Sequence, residues 1–419
     1  MLARGARRTE IEAFLGWAES QIASPLLYPI ALTLTISIWI LLALFLLDII
    51  DAALWLIPVT AGLVVWFARA KAVQFQFERA GAGQHAIRRY AALFTHVTTP
   101  AFVSPLLREV HERLSAHGQP APACMARLNR ILGFASLARS AGIFHFPIQA
   151  LTLWDFHVLR ALDRWRASAG PHVRAWMTAL GELDALSSLA ALRHDHPAWA
   201  VPEVNAEPAI VAQALGHPLI VERRRVPNDV QIGPPGTLLL ITGSNMSGKS
   251  TLLRAIGLNL VLAQAGGAVC ATRFRFPFAD LQSSIRVQDS LELGLSYFMA
   301  ALARLKGVVD SAEHPRAHRV LVYLLDEILQ GTNSVERGIA VRAVARHLLD
   351  SGAIGAMTTH DLALASEEPL ASAAVPVHFT ETVDDQGRMA FDYRLRDGIA
   401  TSRNALRLMQ MIGIDLKES

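Results

Sequence analysis

The chain has 419 residues, 39 basic against 36 acidic side chains for a formal charge of +3, 52% hydrophobic and 18% charged residues, and a mean hydropathy of +0.31. That composition excludes a disordered chain, a collagen-like fibre and a basic nucleic-acid tail, and it points to a part of the chain that sits in lipid. The length implies two to three domains. The two cysteines, Cys124 and Cys270, are too far apart in sequence to form a metal-type pair and are expected as reduced thiols.

The apolar excess is concentrated near the N-terminus. Pro25 to Leu47 is a run of 23 residues without a charge, and Ala52 to Ala68 adds 17 more. As a helix the first would span about 34 Å, enough for a hydrocarbon core of about 30 Å. The second is at the short limit for a span. Only Asp48-Ile49-Ile50-Asp51 separates the two, which predicts a tight turn. Arg4, Arg7 and Arg8 precede the first run and Arg69, Lys71 and Arg79 follow the second, so the positive-inside rule puts both ends in the cytoplasm. Residues 1–24 are therefore read as a cytoplasmic tail and 25–69 as a transmembrane helical hairpin. A buried hairpin in a soluble core is the alternative, but soluble helices rarely run so long without a charge.

From about Ala70 to Asn205 the pattern becomes helical and amphipathic. Leu106, Leu107, Val110 and Leu114 recur at helical spacing, as do Leu151, Trp154, Val158, Leu162 and Trp165. Breaks at Gly118–Pro122, Gly170-Pro171 and His196-Pro197 divide the region into several helices. His194-Asp195-His196 reads as a polar loop, because no third metal ligand follows at a usual spacing.

The character changes after Asn228 and Asp229. An apolar, strand-like run, Thr237 to Thr242, leads directly into Gly243-Ser244-Asn245-Met246-Ser247-Gly248-Lys249-Ser250, and a helical stretch from Thr251 follows. This is the phosphate-loop pattern G-x-x-x-x-G-K-[ST] in its required strand-to-helix setting. Its glycines let backbone N–H groups wrap phosphates and bring a helix N-terminus against their charge. Lys249 would reach the β- and γ-phosphates, and Ser250 would ligate Mg²⁺. The chain has only four lysines, so a chance match is rare.

Hydrolysis needs a second, acidic element. Leu321 to Leu325 reads as a buried parallel strand, and it ends in Asp326 and Glu327. Asp326 would hold Mg²⁺ through water, and Glu327 would polarise the attacking water as general base. A further strand, Ala353 to Met357, leads to Thr358-Thr359-His360-Asp361, where His360 is placed to meet the γ-phosphate or the water. Ser296, in the segment Asp289 to Phe298, is placed to cap a helix and present N–H groups to an anion.

These residues resemble a known family. The segment Thr242 to Thr251 is similar to the Walker A segment of the mismatch-repair ATPase family MutS. The resemblance continues through Asp326-Glu327-Ile328, Gly331-Thr332, Thr359-His360 and the stretch Gly398 to Leu406, with Ser296-Tyr297-Phe298-Met299 similar to the signature segment. It covers about residues 206–419. It implies an α/β P-loop NTPase of the ABC type, using ATP and Mg²⁺ and working as a homodimer in which Ser296 completes the partner subunit's site. Residues 70–205 resemble a shortened lever domain, and Asn228 and Asp229 fall where the family approaches the nucleotide base. The one Phe-x-Glu triplet, Phe379-Thr380-Glu381, lies inside the ATPase region and is expected as strand, so mismatch reading is not expected.

The resulting expectation is a bacterial inner-membrane ATPase with its ATPase domain in the cytoplasm, bound to the bilayer through its hairpin and acting on duplex DNA. The alternative is an ATP-driven switch acting on a protein or lipid partner at the membrane, with no DNA role. A transporter fits poorly, because two spans per subunit make a thin bundle and no intramembrane charge marks a path.

Overall fold

The computed structural model describes residues 2–20, 27–50, 52–82, 92–98, 101–115, 120–140, 145–244, 246–285, 297–329, 334–383 and 389–399. Its contacts divide the chain into two units, Met1–Ser187 and Ser188–Ser419.

The first unit is helical. Its elements are α1 (Leu2–Glu19), α2 (Leu27–Leu46), α3 (Leu56–Ala82), α4 (Pro105–Ser115), α5 (Ala121–Ser140), α6 (His145–Thr152) and the start of the long α7 (Trp154–Asp195). Helix α7 buries Leu159, Leu162, Trp165, Ala169, Val173, Trp176, Leu180 and Leu183, the three- and four-residue spacing of one helical face. The Trp165 ring stacks on Trp17 of α1, with centroids 6.1 Å apart. Gly170 permits the close approach of these two helices, because a Cβ there would stand 2.2 Å from the Ala18 carbonyl oxygen. Outside this core, Arg174 pairs with Glu19 and Arg113 pairs with Glu182.

Helices α2 and α3 are long and apolar enough to cross a membrane. They are also poorly covered by protein: α2 buries only Ala31 and Ile38, while Ile36, Ile40, Leu46, Ile57, Val64 and Phe67 are exposed. The connection is longer than the predicted turn, since α3 begins at Leu56. Pro58 explains the start, because proline is tolerated in the first helical turn and not in the interior. Helix α3 also continues past Arg69 to Ala82, where Val73, Phe77 and Ala80 are buried, so the charged flank is an amphipathic extension of the same helix.

The second unit is built on two sheets. The smaller has the order β1 (Glu203–Val204), β5 (Arg273–Phe276), β2 (Ile210–Leu215), β3 (Asn228–Ile232). The larger contains β4 (Leu238–Thr242), β6 (Ala279–Ser284), β7 (Val320–Asp326), β8 (Ile354–Thr358), β9 (Ala374–Val383) and β10 (Met389–Asp397), in the order β10-β9-β4-β8-β7-β6. All its neighbours are parallel except the β9–β10 pair. Every residue of β4 and β8 is buried, as expected of strands covered on both faces. Helices α8 (Lys249–Gln264), α9 (Tyr297–Glu313) and α10 (Ser334–Asp350) follow β4, precede β7 and follow β7. One apolar cluster joins α8 to the sheet through Leu253, Ile256, Val322 and Ala356, and another joins α9 and α10 through Val308, Leu348, Tyr323 and Met357.

Candidate functional site

Sheet register assembles the site. Ile241 of β4 and Asp326 of β7 both pair with Thr358 of the intervening β8, so three strands end on one line. The residues just beyond that line are Gly243 onward, Glu327, and Thr359-His360. Carboxyl ends of parallel strands are where open α/β sheets bind ligands.

The loop after β4 uses glycine where the backbone demands it. Gly243 has φ 140° and Gly248 has φ 112°. A Cβ at Gly243 would stand 3.0 Å from both the Phe379 carbonyl oxygen and Ser247 Oγ. Gly248 caps α8 without any side-chain hydrogen bond, which leaves the first N–H groups of the helix to a ligand. Ser247 Oγ is buried and has no hydrogen-bond partner among the described residues. A buried hydroxyl left so is costly, and a phosphate oxygen would satisfy it.

Lys249, only 4% exposed, is held from three sides. Its Nζ donates to the Gly243 carbonyl at 2.8 Å and to the Ser244 carbonyl at 2.9 Å, and it lies 3.1 Å from Glu327 Oε1. The ammonium's three donors are thereby matched. On the other side Glu327 Oε2 is 3.7 Å from His360 Nδ1 of an exposed imidazole. Glu327 itself has φ 43°. Its N–H donates to Thr358 Oγ1 at 2.9 Å, and that hydroxyl in turn donates to Asp326 Oδ1 at 2.8 Å. Thr358 thus orients both acids, a role that strand spacing did not reveal and that register does.

Ser244, Met246, Gly248, Lys249, Ser250, Thr251, Asp326 and Glu327 all line one cavity of about 930 Å³. The rest of its lining is unanticipated: Tyr393, His217 and the basic residues Arg224, Arg225 and Arg254. Burial first, and then Arg254 and Arg225, push the His217 imidazole below its usual range, so the ring is neutral at pH 7. Four cationic side chains against two carboxylates favour an anionic ligand.

Asn228 and Asp229 take different places. Asn228 lines the cavity; its Nδ2 donates to the Tyr393 carbonyl at 3.0 Å, and its Oδ1 accepts the Leu395 N–H at 2.7 Å. Those bonds pin the bulge between Phe391 and Leu395, in which Tyr393 has φ 54° and is turned toward the cavity. The Asp229 carboxylate accepts the Ala214 N–H at 2.7 Å and does not line the cavity. The expected strand character of Phe379-Thr380-Glu381 is found in β9, and Glu381 accepts a hydrogen bond from the Ser244 hydroxyl. Asn245 and Ser296 lie outside the described residues.

A largely parallel sheet with a phosphate loop between its β4 strand and α8, and an acid pair at the end of β7, defines a P-loop ATPase fold. The model of MutS domain V, the ATPase domain of that family, matches residues 239–417. The C-terminal half of this chain is accordingly MutS-related. Similar proteins include DNA mismatch repair protein MutS 2 of Halobacterium salinarum, 31% identical over 253 residues, covering 59% of this chain and 28% of the relative. DNA mismatch repair protein MutS of Synechococcus sp. is 33% identical over 260 residues, with 59% and 28% covered. DNA mismatch repair protein MutS of Myxococcus xanthus is 32% identical over 279 residues, with 63% and 30% covered. The chain spans less than a third of the length of these relatives.

Proposed function

We propose that the chain is a membrane-anchored ATP hydrolase whose turnover drives a conformational change in a homodimer acting on duplex DNA without reading mismatches. The observation that carries the chemistry is the convergence of the phosphate loop, Lys249, Asp326 and Glu327 on one cavity. In this reading residues 1–24 are a cytoplasmic tail, 25–69 the anchor, 70–205 the lever and 206–419 the ATPase.

Loop N–H groups and the start of α8 bind the phosphates, and the Lys249 ammonium neutralises the β- and γ-phosphates. The γ-phosphate takes a place beside Lys249 that Glu327 now shares, leaving that carboxylate to accept a proton from the attacking water. His360 orients the water or the γ-phosphate from beside Glu327. Ser250 and Asp326 would hold Mg²⁺, which when bound supplies neutralisation of phosphate charge; two protein oxygens suit an ion that keeps several waters and phosphate oxygens. Ser296 of a second copy would complete the site. Tyr393 supplies a ring for the nucleotide base. Tyr393→Ala is expected to weaken ATP binding by roughly tenfold, about 1.4 kcal/mol, measured by equilibrium titration. Unchanged affinity would remove the ring from the base site.

The membrane assignment is supported by the length, composition and exposure of α2 and α3. The DNA assignment is supported by the similarity to proteins named as DNA mismatch repair proteins. It is tested by titrating the full chain, reconstituted in nanodiscs, with duplex DNA at about 50 and 200 mM salt. Phosphate contacts should make affinity fall by roughly tenfold or more across that range. Binding no tighter than that of an unrelated basic protein, with a shallow salt slope, would transfer the function to a protein or lipid partner.

A further inference from the structure

In the first unit, α6 and the described part of α5 near its end expose large apolar side chains. From Ile131 to Trp154 the sequence has no acid and no lysine, and its ionisable side chains are Arg139 and His145. The large side chains described as facing outward here are apolar: Phe134 is 51%, Phe146 50% and Ile148 44% exposed. One polar side chain, Gln149, turns fully inward, and its Oε1 accepts the N–H of Asp155 at 3.1 Å. The Asp155 carboxylate accepts the indole N–H of Trp66 on α3 at 2.8 Å and lies 3.6 Å from His145 Nε2. The Gln149 Nε2 has no hydrogen-bond partner among the described residues, so it is the outward-facing apolar side chains that suit hydrocarbon better than water.

Two contacts set the depth of this region. The Thr35 hydroxyl of α2 donates to the Thr152 carbonyl at 3.2 Å. The side chain of Leu153 comes within 3.1 Å of where a Cβ at Gly62 of α3 would stand. Thr35 lies eight residues into α2, about 12 Å along a helix of about 30 Å. Leu153 is fully buried and has φ 48°, which breaks the helix between α6 and α7. Gly62 lies six residues into α3, about 9 Å along it, so the Leu153 turn packs within the apolar lengths of both helices.

We infer that α6 and the Leu153 turn, together with Phe134 of α5, form a second lipid-contacting element, a wedge that enters the hydrocarbon beside the α2–α3 hairpin without crossing it. The inference rests on the reading of that hairpin as membrane-spanning. The wedge exposes Phe134, Phe146 and Ile148 to acyl chains and keeps Gln149, Asp155 and His145 facing α3 and α7. It also ties the base of α7 to the bilayer at a fixed depth.

The test is nitroxide accessibility in the full chain reconstituted in nanodiscs. Single cysteines are introduced as Phe146→Cys and Ile148→Cys, with Ile40→Cys on α2 as the hairpin reference and Glu112→Cys on α4 as the aqueous reference. Positions 146 and 148 are both exposed, so failure of one variant leaves the other. The native thiols are buried, and burial pushes both up, so they label slowly. Labels at 146, 148 and 40 are expected to collide with oxygen several-fold more than with a water-soluble nickel chelate, and the label at 112 to show the reverse. Labels at 146 and 148 behaving like 112 while 40 stays shielded would overturn the wedge and leave the hairpin standing. A label at 40 behaving like 112 would overturn the anchor itself, and the wedge with it.

Discussion

Replacement of Glu327 by glutamine is expected to lower ATP turnover by about 10²–10⁴-fold, the usual worth of a general base, while ATP affinity stays within roughly threefold. The geometry separates the two effects. Glutamine keeps the shape and an oxygen 3.1 Å from the Lys249 ammonium, and the backbone N–H that anchors residue 327 to Thr358 Oγ1 is untouched. What it loses is a basic oxygen to take the proton of the attacking water. Phosphate release read beside equilibrium binding of a fluorescent ATP analogue checks both halves. Turnover at the wild-type rate would mean that another group is the base.

Lys249→Ala should instead act on binding. The ammonium is nearly buried and makes the contacts that hold the carbonyls of Gly243 and Ser244 and the Glu327 carboxylate together. Without it those oxygens crowd a site meant for phosphate, and the charge that would pair with the β- and γ-phosphates is gone. Removing one partner of a desolvated charge pair costs about 2–5 kcal/mol. An affinity loss of roughly 100-fold or more is therefore expected, with turnover falling to background. Arginine is no conservative replacement, because its planar fork does not fit a point-charge niche between two carbonyls. An alanine variant that binds ATP normally would overturn the assignment of the loop. Together the two variants separate a chain that binds without hydrolysing from one that does neither.

Much of the site was legible in the sequence because its signals are local. The phosphate loop requires glycines at Gly243 and Gly248, and both have positive φ. An apolar strand that ends in two acids is a short pattern, and Asp326 and Glu327 stand where it places them. The role of Thr358 has no local signal, because it depends on pairing opposite Asp326 across β7 and β8. Tyr393 left no signal at all. It reaches the cavity through a bulge in β10 that Asn228 pins from β3, a contact between residues 165 apart in the chain. Asn228 and Asp229 are adjacent, yet on a strand successive side chains point to opposite faces, so one meets the cavity and the other the Ala214 N–H.

The helical unit divides in the same way. Hydropathy alone determined that two N-terminal segments are long and uncharged enough to span a bilayer, and the spacing of Gly243, Gly248, Lys249 and Ser250 alone located the phosphate loop. Those properties belong to short windows of chain and need no partner to be read. Only the tertiary structure decided that α3 runs on as one helix to Ala82, that Lys249 and Glu327 meet, and that Phe134, Phe146 and Ile148 face outward. Each of these depends on which distant surface a residue packs against. Burial and register are properties of the folded pairing, and no spacing along a single strand or helix encodes them.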